Sequence, residues 1–278
     1  MTTERLETTG TTIGSLLKHW RNTRSLSQLA LAEEAGVSPR HVSFLETGRS
    51  RPSREMVTLL CRVLGVPFRE RNGLLLAAGF APVYAEPKLE AAELRAVRTA
   101  LFAILRHQEP FPAVVMNRHW DIVHANDAAR HFFGFLLGER AAGGPANVVR
   151  LMFDPDGLRP HVSNWEAVAE GLLERVHREA VGGVTDAATA KLLEDVLAYP
   201  GVPKRLRWLS LGAPSVPVIP VCFRKDDLAF NYFSTVTTLG TPQDVTLQEL
   251  RIECFFPADE ATGERARALR ASDRSSSA

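Results

Sequence analysis

One stretch of the chain, residues 27–45, restricts the possible folds more than any other, because small, glycine and aliphatic residues recur along it at fixed intervals. With Gln28 counted as the first position, the sequence has Ala32 at position five, Gly36 at nine, Val42 at fifteen and Leu45 at eighteen. A small residue at position five lets two helices cross closely, and a glycine at position nine lets the chain turn sharply between them. The two aliphatic residues then hold the second helix against a core. This spacing predicts a helix-turn-helix.

The residues that flank these two helices mark where they begin. Ser27 and Ser38 are placed as N-caps, and Pro39 stands at the first helical position, where its missing N–H costs no hydrogen bond. We therefore predict helices over residues 28–35 and 39–46. The same kinds of signal predict three further short helices, marked by Leu16, Leu17 and Trp20, by Ser53, and by Pro67. Five short helices with brief connections make a compact all-α domain.

The rest of the chain has a different pattern. Residues 79–87 interrupt the helical periodicity and are predicted to form a linker, followed by one longer helix over residues 89–107. Beyond it, alternating apolar residues predict strands at 113–126, 216–223, 228–239 and 247–256, with helices at 127–133, 165–179 and 187–199. This mixture predicts an α+β domain with an antiparallel sheet. The last residues are rich in charge, alanine and serine, so we expect a disordered tail there.

Charge separates the two parts of the chain. Residues 12–81 carry ten Lys and Arg residues against five Glu, a net charge of +5, whereas the remaining residues carry 23 basic and 27 acidic residues, or −4. A small basic module joined to a larger acidic one indicates that only the first meets a polyanion. The expected parts are a helix-turn-helix domain (1–82), a linker and connecting helix (83–110), an α+β domain (111–260) and a disordered tail (261–278).

The front of the second helix of the pair is the expected DNA-reading end. In a helix-turn-helix this helix places its N-terminal turn in the major groove. The guanidinium of Arg40 is placed to donate two hydrogen bonds to a guanine, and Phe44 or Pro39 to contact a thymine methyl group. Arg49 and Arg51, in the loop that follows, are placed to reach phosphates. The complete set of candidate DNA-binding residues is Gln28, Ser38, Pro39, Arg40, His41, Ser43, Phe44, Thr47, Arg49 and Arg51.

Two segments of the sequence resemble known families. Residues 14–79 resemble the Cro-repressor-type, lambda-repressor-like helix-turn-helix domain of the xenobiotic-response-element family. Residues 151–180, "LMFDPDGLRPHVSNWEAVAEGLLERVHREA", and residues 233–260, "FSTVTTLGTPQDVTLQELRIECFFPADE", resemble the ligand-binding half of MmyB-like transcription regulators. The resemblance implies a bacterial transcriptional regulator. It also implies that the second domain has a PAS-like fold and can enclose a fatty-acid-like molecule.

The strands of the second domain offer candidate residues for such a ligand. Alternation groups Leu228, Phe230, Tyr232 and Val236 on one face of their strand, and Leu250, Ile252, Cys254 and Phe256 on one face of theirs. From these we take Phe230, Tyr232, Ile252 and Cys254 as candidate ligand-binding residues. The pattern alone favours an ordinary core over a cavity. It does not choose a partner for a ligand carboxylate among Arg150, Arg207, Arg224 and Tyr232.

Other kinds of site and other cellular locations find little support in the sequence. The three cysteines, Cys61, Cys222 and Cys254, are far apart and form no Cys-x-x-Cys, so neither a disulfide framework nor a zinc site is expected. The first residues contain no apolar core of signal-peptide length, and no apolar run approaches the roughly 20 residues that span a bilayer. We therefore expect a cytoplasmic protein without cofactor, metal or membrane contact.

Three hypotheses about function remain. The first is a regulator that binds double-stranded operator DNA as a homodimer and senses a small apolar ligand, since one helix-turn-helix covers few bases and pairs of half-sites lie about 34 Å apart. The second is a constitutive repressor whose second domain only dimerises. The third, an enzyme with a DNA-binding appendage, has no Gly-x-Ser-x-Gly elbow or phosphate loop to support it, so we expect no enzymatic activity.

Overall fold

The computed structural model of the chain describes residues 12–138, 146–181, 187–203 and 220–276. The chain divides into two compact units. Unit 1 contains Met1–Glu86 and Gln243–Val245, and unit 2 contains Pro87–Pro242 and Thr246–Ala278. Of the sequence predictions, the first residues of the strand expected at 216–223, and Arg207, lie outside the described residues.

Residues 12–86 of unit 1 form the five predicted helices. They are α1 (Ile13–Thr23), α2 (Gln28–Ala35), α3 (Pro39–Glu46), α4 (Arg54–Val63) and α5 (Phe68–Ala77). The side chains of Ser27, Ser38 and Ser53 each accept a hydrogen bond from a backbone N–H of the first turn that follows. Gly36 ends α2 with a φ of 67°, in the left-handed region that favours glycine. The predicted caps and turn are therefore confirmed.

A close contact between α1 and the end of α3 completes the packing of unit 1. Gly14 lies so near α3 that a Cβ atom added to it would stand 2.5 Å from the backbone oxygen of Glu46 and 2.7 Å from that of Leu45. Glycine is needed here because its neighbour is backbone, which has no alternative rotamer. Around this contact, Leu17, Trp20 and Leu45 are buried in one apolar core.

The expected linker lies against α5. The side chain of Asn72 donates a hydrogen bond to the carbonyl oxygen of Tyr84 and accepts hydrogen bonds from the N–H groups of Val83 and Tyr84. The rings of Phe68 and Tyr84 stack with their centroids 4.4 Å apart. The segment therefore has no regular secondary structure but is fixed to unit 1 by side chains of α5.

Unit 2 is built on one antiparallel sheet. Its strands are β1 (Ala113–Met116), β2 (Ile122–Ala125), β3 (Val221–Lys225), β4 (Leu228–Thr237) and β5 (Arg251–Pro257), in the spatial order β2-β1-β5-β4-β3. Its helices are α6 (Arg95–His107), α7 (Asp127–Leu137), α8 (Val148–Phe153), α9 (Trp165–Val181), α10 (Ala187–Leu197), α11 (Val245–Glu249, which begins at the last residue of unit 1) and α12 (Glu260–Ser276). This arrangement confirms the expected α+β fold with an antiparallel sheet.

Both faces of the sheet are buried, which the sequence analysis did not anticipate. One face carries Phe230, Tyr232 and Phe255 into a core shared with α7, α8 and α9. The opposite face carries Ile252 and Cys254 into a second cluster. That cluster also contains apolar side chains of α6 and its approach, namely Leu89, Leu94, Leu101 and Leu105. Successive residues of one strand therefore point to opposite faces of the sheet and enter two separate cores.

Among the element boundaries that differ from the prediction, two differ by several residues at the start of the element. The helix expected from Leu89 begins only at Arg95, after a 3₁₀ turn at Ala92–Leu94, because Leu89 is buried as a separate anchor of the second cluster. The strand expected from residue 247 begins at Arg251, since Val245–Glu249 forms a short helix.

The expectation of a disordered tail is wrong, because α12 occupies Glu260–Ser276. Thr262 is fully buried, and its hydroxyl oxygen accepts a hydrogen bond from the N–H of Asn231 in β4. Ala266 is also buried. The guanidinium of Arg270 pairs with Glu109 at 3.2 Å and with Asp127 at 2.9 Å. The low hydrophobicity of residues 260–276 gave no signal for α12, because small buried residues and charge pairs hold this helix in place.

Candidate functional site

The N-terminal turn of α3 forms an exposed polar surface on unit 1. The cap at Ser38 and the ring of Pro39 start the helix, while Val42 and Leu45 fix its inner side in the core. The outer side is therefore left free. Of the candidate DNA-binding residues, Ser38, Pro39, Arg40, Thr47, Arg49 and Arg51 are exposed, and Gln28, His41, Ser43 and Phe44 are half-buried. Gln28 begins α2, the residues from Ser38 to Phe44 belong to α3 and its cap, and Thr47, Arg49 and Arg51 follow the end of α3.

An aromatic ring lies at the centre of this surface. The guanidinium carbon of Arg40 is 5.0 Å from the centroid of the Phe44 ring, and that of Arg49 is 5.9 Å from the same centroid. A guanidinium within about 6 Å of an aromatic face is attracted by the ring quadrupole. One guanidinium of α3 and one of the loop after it therefore lie near the same aromatic ring.

Hydrogen bonds within unit 1 limit what two of the candidates offer to DNA. The Gln28 side-chain amide donates to Oε2 of Glu46 at 2.8 Å, which fixes its orientation at the start of α2. The Thr47 hydroxyl donates to the carbonyl oxygen of Ser43 at 2.8 Å, so its proton is not available to a phosphate oxygen. Contacts from these two residues to phosphate remain predictions.

A buried ion pair holds the C-terminal end of α3 in place. Arg21 donates from Nε to Oε1 of Glu46 at 2.6 Å and from Nη2 to Oε2 at 3.0 Å. Burial acts to raise the pKa of Glu46, but the hydrogen bonds from Arg21 and Gln28 outweigh it and hold this pKa below its ordinary value. The hydrogen bond to Glu46 raises the pKa of Arg21. Both groups are therefore charged at neutral pH and join α1, α2 and α3.

Unit 2 contains an apolar, partly open cavity of about 370 Å³. It lies between one face of the sheet and helices α7, α8 and α9. Its apolar wall is formed by Val114, Ile122, Ala125, Ala129, Phe133, Gly134, Leu137, Ala146, Val148, Leu151, Met152, Leu158, Val168, Leu172, Val221, Phe223 and Phe255. Arg130 and Glu253 complete the wall with charged groups. Small-molecule sites are mostly apolar clefts of roughly 300–1,000 Å³ with a few polar groups, and this cavity has both properties.

The two charged residues of the wall already have protein partners. Arg130 forms an ion pair with Asp127 at the start of α7 and donates to the carbonyl oxygen of Ala125. Glu253 accepts a hydrogen bond from the Ser234 hydroxyl at 2.6 Å. The rest of the wall offers a ligand apolar surface.

None of the four candidate ligand-binding residues lines this cavity. Phe230 and Tyr232 lie on the correct face of the sheet but pack behind the wall, against Phe132. Ile252 and Cys254 lie on the opposite face. The cavity is instead lined by the alternate residues of β5, Glu253 and Phe255.

The helical part of the wall also had a signal in the sequence. Ala129, Phe133 and Leu137 recur every four residues along α7 and all line the cavity. Of the suggested carboxylate partners, Arg150 pairs with Asp195 at 2.8 Å, and Arg224 is exposed. Neither they nor Tyr232 line the cavity.

Two of the three cysteines are buried. Burial raises the pKa of the Cys61 thiol to about 12 and also raises that of Cys254, so both are poor nucleophiles. The described residues contain no group of three or more His, Cys, Asp or Glu side chains that could hold a metal ion. None of the helices in the described part of the chain has both the length and the apolar character needed to span a bilayer.

Comparisons with known proteins agree with this division into a helical unit and a cavity-bearing unit. Residues 97–269 match the MmyB-like transcription regulator ligand binding domain, and residues 17–71 match a helix-turn-helix family. Two proteins of Mycobacterium tuberculosis, from strains CDC 1551 and H37Rv, are both named as uncharacterized HTH-type transcriptional regulators. Each is 28% identical over 117 residues, which are 42% of this chain and 76% of the relative.

Among solved structures, an RNA-binding light-oxygen-voltage receptor aligns with 95% of this chain and 64% of its own length, at 12% identity and a TM-score of 0.28. The match to the ligand binding domain spans more than half of the chain, and the helix-turn-helix match covers most of the described part of unit 1. The chain therefore belongs to the MmyB-like transcription regulators, and it joins a DNA-binding helix-turn-helix domain to a ligand-binding domain of that family.

Proposed function

We propose that this regulator binds its operator as a homodimer and that a small apolar, fatty-acid-like ligand in the cavity of unit 2 changes its affinity for DNA. The observation that carries the proposal is the cavity itself, whose wall, as far as the described residues form it, is apolar apart from Arg130 and Glu253. A chain-like apolar molecule would gain from leaving water for such a wall, at about 25 cal/mol per Å² of apolar surface buried.

We assign the contacts with DNA to α3 and the loop that follows it. Arg40 is exposed on the first turn of α3, where it can enter the major groove and donate two hydrogen bonds to a guanine. Arg49 and Arg51 are exposed beyond the C-terminus of the helix, where they can contact phosphates. Ser43 and Pro39 are the remaining candidates for contact with base edges.

These assignments give two different expectations for single variants. Arg40→Ala is expected to weaken specific binding by about 1–3 kcal/mol and to relax the preference at one base position. Arg51→Ala is expected to weaken binding to all sequences alike and to lower the salt dependence. Binding measured on an operator, its single-base variants and random DNA distinguishes them. If Arg40→Ala left the base preference intact, the reading role would belong to Ser43 or another neighbour.

The coupling between ligand and DNA is assigned to α6. This helix follows unit 1 in the chain and packs Leu101 and Leu105 into the cluster on one face of the sheet, while the cavity lies on the other. A ligand that binds one sheet geometry better than another would thereby shift α6. Such coupling requires two states that differ in affinity for both ligand and DNA.

Native mass spectrometry of the purified protein, followed by organic extraction, tests the ligand directly. A co-purified fatty acid or similar molecule, bound at one per chain, is the expected result. The competing function is a constitutive repressor whose second domain only dimerises. It predicts a chain free of bound lipid whose operator affinity does not respond to added fatty acids.

A further inference from the structure

The Phe44 ring on α3 contacts two arginines that are nine residues apart. Arg40 precedes Phe44 by four residues, so both side chains lie on one side of the helix, one turn apart. Arg49 belongs to the loop after the helix, and its guanidinium carbon approaches the same ring to 5.9 Å. The ring therefore contacts one cation from within the helix and one from beyond its end.

The end of α3 is shaped so that Arg49 returns to this ring. Gly48 has a φ of 72°, in the left-handed region, and reverses the chain immediately after the helix. The N–H of Arg49 then donates to the carbonyl oxygen of Phe44 at 2.9 Å, and the N–H of Ser50 donates to the same oxygen at 3.2 Å. The backbone carbonyl of Phe44 thus fixes the loop, and the Phe44 ring contacts the guanidinium of Arg49 in that loop.

Contact with the ring leaves the N–H donors of both guanidinium groups able to bind DNA. A guanidinium above an aromatic face uses its π surface for that contact, and its N–H donors at the edge remain free. Arg40 and Arg49 are both exposed, and no hydrogen bond or ion pair holds either side chain among the residues that the structure describes. The guanidinium groups of Arg40 and Arg49 repel each other because both are positively charged. Because the Phe44 ring holds both near one place, it prepares a site for the negatively charged backbone of DNA.

We propose that Phe44 is a positioning residue, which holds the guanidinium groups of Arg40 and Arg49 in place before DNA arrives. This role differs from the contact with a thymine methyl group that the sequence suggested. It rests on the proposed assignment of Arg40 to a base and Arg49 to a phosphate. Because rotamer-rich side chains lose freedom on binding, a side chain that is already held loses less, which strengthens the complex.

The experiment uses the full chain and a selected operator, with Phe44→Leu as the main variant. Leucine keeps an apolar side chain on the half-buried position but has no aromatic face. Two cation–π contacts at exposed positions correspond to about 5- to 30-fold in affinity. Phe44→Leu is therefore expected to weaken operator binding by that factor, and Phe44→Tyr, which keeps the ring, to restore it. Thermal unfolding of each variant checks that unit 1 stays folded.

Two further measurements separate positioning from direct contact with a base. In a background with Arg40→Ala and Arg49→Ala, the loss caused by Phe44→Leu should nearly vanish, since no guanidinium remains to be held. The slope of log affinity against log salt should also fall by up to about one when Phe44→Leu releases Arg49 from its phosphate. A purely structural role would not change that slope at constant stability.

The outcomes distinguish the positioning role from the assignments on which it depends. If Arg40→Ala and Arg49→Ala leave binding unchanged, the assignments fail. The positioning role alone is overturned if Arg40→Ala and Arg49→Ala weaken binding but Phe44→Leu does not. It is also overturned if Phe44→Leu weakens binding as much in the background without the two arginines as in the original protein. An equal loss in both backgrounds, with preference lost at one A·T pair and an unchanged salt slope, would show that Phe44 reads a base.

Discussion

Arg21 and Glu46 form a bidentate, buried ion pair, with Nε 2.6 Å from Oε1 and Nη2 3.0 Å from Oε2. The side chain of Glu46 is only 2% exposed and that of Arg21 10%. The pair ties α1 to the last residue of α3, and Gln28 adds a third member from α2. The orientation of α3 therefore depends on a buried charge pair.

Replacing Glu46 by glutamine is expected to destabilise unit 1 strongly. The change leaves Arg21 buried without its counter-charge, and loss of one member of a buried pair costs about 3–5 kcal/mol. Thermal unfolding of the full chain measures the effect. Removing both charges, with Arg21→Met and Glu46→Leu, should recover much of the loss. A stability unchanged by Glu46→Gln alone would contradict the role given to this pair.

Unit 1 should also lose stability in acid because of Glu46. Its pKa is lowered in the folded protein, so its contribution is fully present above the ordinary value for Glu, about 4.3. That contribution is lost as the pH falls through the lower, folded pKa. Unfolding measured by circular dichroism from neutral to acidic pH should show this decline, and Glu46→Gln should make the profile flatter. Equal slopes for the two proteins would show that another carboxylate dominates.

Gly14→Ala is expected to destabilise unit 1 by about 1–3 kcal/mol, as overpacking of a close contact does. The new methyl group would stand 2.5 Å from a backbone oxygen of α3, so the helices must separate. Gly73→Ala is the matched control, because Gly73 lies inside α5 and no atom would come within 4 Å of its added Cβ. It should stabilise the protein by about 0.4–1 kcal/mol. Equal effects of the two variants in a denaturant titration would contradict the close packing of α1 on α3.

Gly134→Leu is expected to fill part of the cavity and to reduce the amount of bound ligand. Gly134 lines the cavity on α7, and a Cβ atom added there meets no atom within 4 Å, so the larger side chain can enter the open space. Extraction and mass spectrometry give the ligand content per chain. Ile252→Val, on the opposite face of the sheet, serves as a control and should leave that content unchanged. A normal ligand content in Gly134→Leu would place the ligand elsewhere.

The secondary structure of unit 1 could be predicted from the sequence because its signals are local. Ser27, Gly36 and Ser38 each act within a few residues of their own position, and the structure confirms all three. The pair of Arg21 and Glu46 could not be predicted, since its members are 25 residues apart and both are types that usually lie on the surface.

The cavity of unit 2 was harder to predict than the sheet beside it. Alternation placed Ile252 and Cys254 together, and they do share a face. Because both faces of the sheet are apolar, alternation could not show which of them borders the cavity. That depends on helices α7, α8 and α9, and α8 had not been predicted at all. The same limitation concealed α12, whose fixed position comes from contacts with distant residues such as Glu109 and Asp127.

The most direct test of the account is operator affinity measured on the same protein with and without its ligand. The chain is purified, stripped of lipid by organic extraction and refolding or by exchange onto a lipid-binding resin, and then reloaded with the molecule found in the extract. Allosteric coupling of ordinary strength changes affinity by about 5- to 150-fold, and a change within that range is the expected result. Identical operator affinity for the loaded and the stripped protein, with full occupancy of the cavity confirmed, would contradict the proposal that this regulator senses its ligand.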